Sequence, residues 1–240
     1  KNPNLQGFST AGAPIEGTVC TYLVPLWGAG SDLTKGGKLN LDTREARQPF
    51  QLYGRMKQAG VLPKNIAEIP TDRIRIDMQA GNLLFAMSWG YVWNRLENDA
   101  DSKVKGQIGV ARLPHDQGGA SATCIGGWQV AVTAFSKHKQ EAVKFARYLS
   151  SPEVSKMQAI LASHLPVFPS VYRDPDVLKA NPWFADALPV IESAKARPVT
   201  HQYPQVSDAI RSNMNAYLAG TKTTDTALGD MKGRLQPIFR

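Results

Sequence analysis

A pair of glycines followed at once by a tryptophan and an apolar run, in residues 123–132, constrains this chain more than any other stretch. Glycine lacks a Cβ and tolerates positive φ, so Gly126 and Gly127 leave main-chain N–H groups open to close approach. The indole of Trp128 adds a flat apolar face and one N–H donor, a combination that suits a sugar. A tight turn with Trp128 in the core fits the same residues. Both interpretations predict a buried strand over residues 128–134.

The composition is that of an ordinary globular chain, with 42% hydrophobic and 20% charged residues among 240. No apolar run reaches the length that spans a bilayer. The net charge of +8 is dispersed, and its densest groups, such as Arg73-Ile74-Arg75, are short and lack interleaved stacking aromatics, so we predict no nucleic-acid partner. The chain starts at Lys1 without Met or a signal-peptide hydrophobic region, which indicates a processed chain or a fragment.

Alternating apolar patterns and turn signals predict a mixed α/β class. Besides residues 128–134, strands are predicted at residues 83–89 and 107–113. Asp42 and Ser207 are predicted N-caps. Periodicity and stop signals predict helices at residues 14–27, 42–60, 71–80, 141–149, 152–161, 174–180, 183–193, 207–220 and 224–235. The helix at 141–149 is predicted to bury Ala142, Phe145, Ala146 and Leu149.

Little in the sequence suggests catalysis or a bound metal. The four histidines are scattered, without an i, i+4 partner or a nearby Cys, so no metal site is predicted. There is no G-x-S-x-G elbow, phosphate-binding loop or dinucleotide motif, so no catalytic nucleophile and no cofactor are predicted. A pair of glycosidase carboxylates needs no sequence motif, which leaves a carbohydrate-active enzyme as an alternative. Cys20 and Cys124 are the only cysteines and fit either one disulfide or two unrelated buried thiols.

Two further stretches have the character of ligand sites. Residues 88–93 hold three aromatics where a strand is predicted to end, and strand ends are common ligand positions in open α/β sheets. Core aromatics at a helix start are the alternative. Between two predicted helices, Pro198 and Pro204 stiffen a segment that presents Arg197 and Tyr203. A guanidinium can donate paired hydrogen bonds to adjacent hydroxyls, although a surface ion pair also fits Arg197.

Taken together, these stretches resemble the sugar-binding proteins of bacterial ABC importers, and more narrowly the trehalose/maltose-binding branch of that family. Each motif is weak alone, but their order and spacing extend over almost the whole chain. The matching motifs are Asn2-Pro3-Asn4-Leu5-Gln6-Gly7-Phe8, Ile15-Glu16-Gly17, Gln79-Ala80-Gly81-Asn82, Gly126-Gly127-Trp128, Ser151-Pro152-Glu153-Val154 and Arg197-Pro198-Val199-Thr200.

The resemblance implies a type II periplasmic-binding-protein fold, in which two hinged α/β lobes hold the ligand between them. Residues 1–105 and 168–240 would form the C-terminal lobe, and residues 106–167 the remaining part of the N-terminal lobe with the hinge crossings. By resemblance, two indoles stack on pyranose rings, and backbone N–H groups, a tyrosine and an arginine bind hydroxyls. The predicted ligand-binding residues are Trp89, Tyr91, Gly126, Gly127, Trp128, Arg197 and Tyr203.

The resemblance also implies a function in which no bond is broken. Such a protein captures a disaccharide or related glucoside in the periplasm and delivers it to a membrane permease. A receptor of the same fold for a non-sugar anionic solute is a second alternative, beside the enzyme. The family's N-terminal segment is absent from this sequence, so we expect a second chain to supply the missing part of the first lobe.

Overall fold

The computed structural model describes residues 5–240, so Asn2-Pro3-Asn4 of the first matching motif lies outside the described residues. Within that range the strands are short and form three two-stranded sheets. A parallel pair joins the first and fourth strands, a hairpin joins the second and third, and a second parallel pair joins the last two. The strands are β1 (Gln6–Ser9), β2 (Thr34–Lys35), β3 (Lys38–Leu39), β4 (Leu83–Ala86), β5 (Thr123–Cys124) and β6 (Ala194–Lys195).

Helices make up most of the regular structure, and most of their predicted positions are confirmed. Short 3-10 turns at Ile66–Glu68 and Val171–Arg173 separate some of them. The α-helices of residues 5–240 are α1 (Glu16–Gly28), α2 (Arg44–Gln58), α3 (Thr71–Gln79), α4 (Val92–Asn98), α5 (Lys139–Leu149), α6 (Pro152–Ala162), α7 (Pro175–Ala180), α8 (Phe184–Glu192), α9 (Tyr203–Leu218) and α10 (Thr224–Leu235).

Helix α2 is capped one residue later than predicted. The Thr43 hydroxyl accepts a hydrogen bond from the Ala46 N–H at 3.2 Å. The extended backbone of Thr43, with φ −116° and ψ 158°, places this hydroxyl over the first turn. Asp42 instead pairs with Lys232 of α10 at 2.5 Å. The prediction of Asp42 as the N-cap is therefore wrong.

Helix α9 starts before its predicted cap. Tyr203 is its first residue, and Pro204 occupies the first turn, where a missing N–H leaves no bond unmade. Ser207 lies inside the helix, so its prediction as an N-cap is wrong. Ser151 does cap α6, because its hydroxyl accepts from the Val154 N–H at 3.2 Å.

Two predicted strands are absent from the described structure. Residues 107–113 and 128–134 are irregular chain, and β4 ends at Ala86 rather than reaching residue 89. A strand needs a neighbour for its N–H and C=O groups, and these runs find none within residues 5–240. The Trp128 side chain is 98% exposed, so its prediction as a core residue of a buried strand is wrong.

Helix α5 is formed but not buried as predicted. Among the described residues, none of its side chains is buried, and Phe145 is 61% exposed. The helix is amphipathic, yet within residues 5–240 its contact with α6 leaves the apolar face largely uncovered. The predicted burial of Ala142, Phe145, Ala146 and Leu149 is therefore wrong for this chain.

Two separate hydrophobic clusters form the core. The larger cluster packs α1, α2, α9 and α10 around the β1–β4 pair, with Leu23, Phe50 and Met214 fully buried. The smaller cluster joins α6, α7 and α8, with Phe184 fully buried and Trp183 nearly so. Its members come from both sides of residue 167, and the division into lobes at 105 and 167 stays a prediction.

Candidate functional site

A cavity of about 560 Å³ is lined by residues of both core clusters, and we call it the strand-end cavity. The carboxyl ends of the parallel strands β1 and β4 reach it, because Thr10 follows β1 and Trp89 lies three residues beyond β4. Open sheets bind ligands at this edge. The aromatic segment 88–93 therefore lies beside a cavity, as its position after a strand predicts.

Trp89 and Gly126 are the two predicted site residues that line the strand-end cavity. The Trp89 ring packs directly on the Gly126 backbone, so closely that a Cβ at position 126 would collide with the ring. The absence of a side chain at Gly126 is thus what admits the indole. This contact brings together the aromatic segment 88–93 and the glycine-tryptophan stretch 123–132.

A second aromatic group completes the wall. Trp93 of α4 and Trp183 have ring centroids 5.7 Å apart and planes inclined by 36°, and both line the strand-end cavity. Trp183 also meets Phe184 edge-on at 4.6 Å. The cavity therefore offers several aromatic surfaces beside the apolar side chains of α3.

Two residues that line the cavity each have a buried polar atom without a hydrogen-bond partner among the described residues. These atoms are the Tyr172 hydroxyl and the Trp183 indole N–H, on side chains that are 4% and 7% exposed. Burial raises the pKa of Tyr172, so the hydroxyl keeps its proton as a donor. Buried donors without partners are rare in native proteins, and here both belong to residues that line a cavity.

Arg197 and Tyr203 converge on Glu16 rather than on the strand-end cavity. The Glu16 carboxylate accepts from Arg197 Nη1 at 2.6 Å, from the Tyr203 hydroxyl and from Ser207 Oγ at 2.5 Å. Burial and the hydrogen bond to Glu16 raise the pKa of Tyr203. The structure shows the ion-pair interpretation of Arg197, and the binding of sugar hydroxyls by Arg197 and Tyr203 stays a prediction.

The other predicted site residues lie away from the cavity wall. The Tyr91 hydroxyl donates to Asp72 Oδ1 at 3.1 Å. A Cβ built at Gly127 would find open space, and the Trp128 indole next to it is almost fully exposed. The structure of residues 5–240 therefore brings Trp89 and Gly126 together, groups Arg197 with Tyr203, and leaves Tyr91, Gly127 and Trp128 apart.

Sequence reasoning missed several cavity and network residues. Trp183 and Tyr172 lie in helical and turn segments whose apolar pattern indicates only a core. Ser207 was interpreted as a helix cap. Glu16 belongs to the matching motif Ile15-Glu16-Gly17, and Trp93 belongs to the aromatic segment 88–93. Neither was predicted as a site residue, because the contacts of Glu16 become visible only in the fold. Local sequence carries no signal for either group, because the cavity lining at Trp183 and Tyr172 and the bond between Ser207 and Glu16 arise from contacts between distant segments.

Residues 5–240 hold neither a cluster of metal ligands nor a helix that could span a membrane. No group of three or more His, Cys, Asp or Glu side chains among them is placed to hold a metal ion. None of their helices combines the length and the apolar character needed to cross a membrane.

An aromatic-walled cavity at the strand ends, lined by both core clusters, is typical of a ligand-binding protein. The chain belongs to the bacterial extracellular solute-binding protein family, whose model matches residues 6–186. It is accordingly a solute-binding protein and not an enzyme, so the alternative of a carbohydrate-active enzyme is wrong.

Two curated relatives are ABC transporter binding proteins. A probable ABC transporter-binding protein of Deinococcus radiodurans is 35% identical over 99% of this chain and 57% of its own length. A probable amino-acid ABC transporter periplasmic-binding protein of Sinorhizobium fredii is 26% identical over 65% of this chain and 35% of its own. The chain thus spans little more than half the length of the first relative.

Solved structures show the same fold. Maltose-bound MalE3 of T. maritima superposes with a TM-score of 0.92 and 32% identity over 98% of this chain and 61% of that one. A tagatose-bound solute-binding protein of Thermotoga lettingae has a TM-score of 0.84 at 24% identity, over 99% of this chain and 60% of that one. The predicted type II periplasmic-binding-protein fold is confirmed, for a chain that covers only part of it.

Proposed function

We propose that this chain belongs to the substrate-binding component of an ABC importer and captures a disaccharide or related glucoside in a cleft between two lobes. The observation that carries the proposal is the strand-end cavity, whose indoles offer flat surfaces to the C–H faces of pyranose rings. The 32% identical MalE3 was solved with maltose, which supports a glucose disaccharide as the first ligand to test. Binding to both lobes would favour the closed form, which would dock on a membrane permease in the periplasm.

In this proposal some cavity residues stack on the sugar ring and others donate hydrogen bonds to its hydroxyls. Trp89 stacks on a sugar ring, and the Gly126 backbone beside it offers an N–H donor. The Tyr172 hydroxyl and the Trp183 N–H donate to sugar hydroxyls, which gives both unpartnered groups a partner. These residues supply the small number of placed polar groups that fix a ligand in an apolar pocket.

Glu16 acts in the proposal as the residue that positions Arg197 and Tyr203. A guanidinium carries five N–H donors, and the bond to Glu16 uses one of them. The remaining donors of Arg197 are free to meet sugar hydroxyls when the cleft closes. The predicted contacts of Tyr91, Gly127 and Trp128 belong to the same closed arrangement.

We further propose that a second chain with the family's N-terminal segment completes the first lobe. Exposed apolar side chains concentrate between residues 128 and 167, within the range 106–167 that is predicted for that lobe. They include Trp128, Phe135, Phe145, Leu161 and Val167. Surfaces of this kind mark interaction sites in stable proteins. Native mass spectrometry that finds a monodisperse 26.2 kDa monomer with full sugar affinity would contradict this part.

Isothermal titration calorimetry of the chain with maltose, trehalose and sucrose tests the function. We expect at least one sugar to bind with a Kd on the order of 1 μM, or about −8 kcal/mol. Tryptophan fluorescence should change with the same midpoint, because indoles line the cavity. Absence of heat for all three sugars, with the second chain present, would overturn the proposal.

A receptor for a non-sugar anionic solute is the second candidate. The S. fredii relative is named as an amino-acid binding protein, and Arg197 carries the matching charge. Glu16 already neutralises that charge, which favours the sugar. Competition between maltose and an acidic amino acid separates the two candidates.

A further inference from the structure

The two cysteines, far apart in the sequence, meet at the strand-end cavity. Cys20 lies on the second turn of α1, and Cys124 ends β5, which packs against that helix. Both thiols are free, both line the same cavity, and each shifts the pKa of the other. The pairing that the sequence left open is therefore a contact in the fold.

The two thiols differ in access and in acidity. Cys20 is 6% exposed, and its hydrogen bond to Cys124 together with burial raises its pKa. The same hydrogen bond, assisted by the Arg197 guanidinium, lowers the pKa of the more exposed Cys124 even though burial opposes the shift. The accessible thiol is thus also the one that ionises first, which is the arrangement of an attacking thiolate with a second thiol behind it.

We propose that Cys20 and Cys124 form a reversible disulfide that ties helix α1 to strand β5 at the edge of the strand-end cavity. The oxidant is a small or protein disulfide. The Cys124 thiolate attacks one of its sulfurs, forms a mixed disulfide and releases one thiol. Cys20, after losing its proton to solvent, then attacks Cys124 Sγ and releases the second thiol, so two thiols are oxidised and one disulfide is reduced.

The bond would act on the ligand site through the chain that follows Cys124. Gly126 is two residues further on and packs against the Trp89 ring. Between them, the Ile125 N–H donates to the Lys195 carbonyl at 2.9 Å, beside β6. A link to the rigid helix α1 holds this segment in place, whereas the dithiol form leaves it held by hydrogen bonds and packing alone. An oxidising periplasm, which rests on the proposed function, would keep the bond formed.

Mass spectrometry on the folded chain tests the disulfide without any sugar, so its outcome is independent of the proposed function. The chain is incubated with oxidised glutathione, free thiols are alkylated, and the protein is digested with trypsin under non-reducing conditions. We expect both thiols to be lost from the alkylated pool and peptide 2–35 to be linked to peptide 113–137. The oxidised chain should also melt about 5–10 °C higher than the reduced chain, because the loop that the bond closes is long.

The Cys124→Ser variant is the matched control and should give no linked peptide and no oxidation-dependent change in Tm. Wild-type chain oxidised in denaturant shows whether disulfide formation depends on the fold. We expect the unfolded chain to give mixed glutathione adducts, whereas the folded chain forms the Cys20–Cys124 disulfide quickly and completely. Two thiols that stay open to alkylation in the folded chain, or that each carry glutathione, would overturn the proposal.

Discussion

At the scale of single residues, one carboxylate organises the polar part of the candidate site. Glu16 stands at the first turn of α1 and receives donors from Arg197, Tyr203 and Ser207, two of which open or lie in α9. Charge-assisted bonds of this kind are stronger than neutral ones, and the helix N-terminus favours a negative side chain. Glu16 therefore ties α1 to α9 and orients the predicted sugar-binding pair at once.

The Glu16→Gln variant should separate these two roles. The amide keeps one acceptor oxygen but loses the charge, so we expect the free energy of unfolding to fall by about 1 kcal/mol for this partly exposed pair. Sugar affinity should fall about tenfold as Arg197 is released. Urea denaturation and calorimetry measure the two effects. Glu68→Gln, at an exposed position, is the control and should change neither; equal behaviour of the two variants would contradict the role of Glu16.

The Tyr172→Phe variant tests the unpartnered hydroxyl. Removing a buried donor without a partner should leave the unfolding free energy unchanged or raise it by up to about 1 kcal/mol. If the hydroxyl donates to the ligand, sugar affinity falls about 5–20-fold, so stability and affinity change in opposite directions. The half-exposed Tyr148 lies outside the cavity lining, and Tyr148→Phe should leave affinity unaltered. A loss of stability without a loss of affinity would assign Tyr172 a structural role only.

At the scale of secondary-structure elements, the start of α2 tests whether Thr43 or its neighbour Asp42 acts as the N-cap. Thr43→Ala removes the acceptor for the Ala46 N–H and should cost about 1 kcal/mol of unfolding free energy. Asp42→Ala removes only an exposed ion pair with Lys232, which should cost less than about 0.5 kcal/mol. Thermal or urea denaturation of both variants checks the order. A larger loss for Asp42→Ala would restore Asp42 as the cap.

Most helices were predicted from the sequence, although α4 was not, whereas two of the three predicted strands are absent from residues 5–240; the difference has a physical reason. A helix satisfies its backbone within one segment, so periodicity and caps place α1, α3 and α10 to within about two residues. A strand needs a neighbour, and residues 107–113 and 128–134 have the apolar pattern of strands without a partner in the described chain. The apolar pattern shows that these residues can form a strand, but a strand forms only where a neighbouring strand accepts and donates its backbone hydrogen bonds.

At the scale of the whole molecule, the site depends on where the two core clusters meet. Trp89 and Gly126 could be singled out from local sequence, and the fold places them in contact. The link from Glu16 to Arg197 and Tyr203, and the position of Trp183 at the cavity, arise from contacts between distant segments, which local patterns do not encode. Two aromatic residues, Trp128 and Phe135, are left on the surface of the part that this chain spans.

The position of Trp128 leads to a prediction about the assembled protein. Its side chain packs on little within this chain, so Trp128→Ala should change the unfolding free energy by less than about 0.5 kcal/mol. If the completed cleft places the indole on a sugar ring, the variant should weaken maltose binding by more than about tenfold. Phe135→Ala, at a 93% exposed residue nearby, is the control when the second chain is held in saturating excess, because it removes an aromatic that we assign to the covering interface and not to the ligand. Calorimetry with maltose decides: unchanged affinity in Trp128→Ala would remove Trp128 from the ligand site.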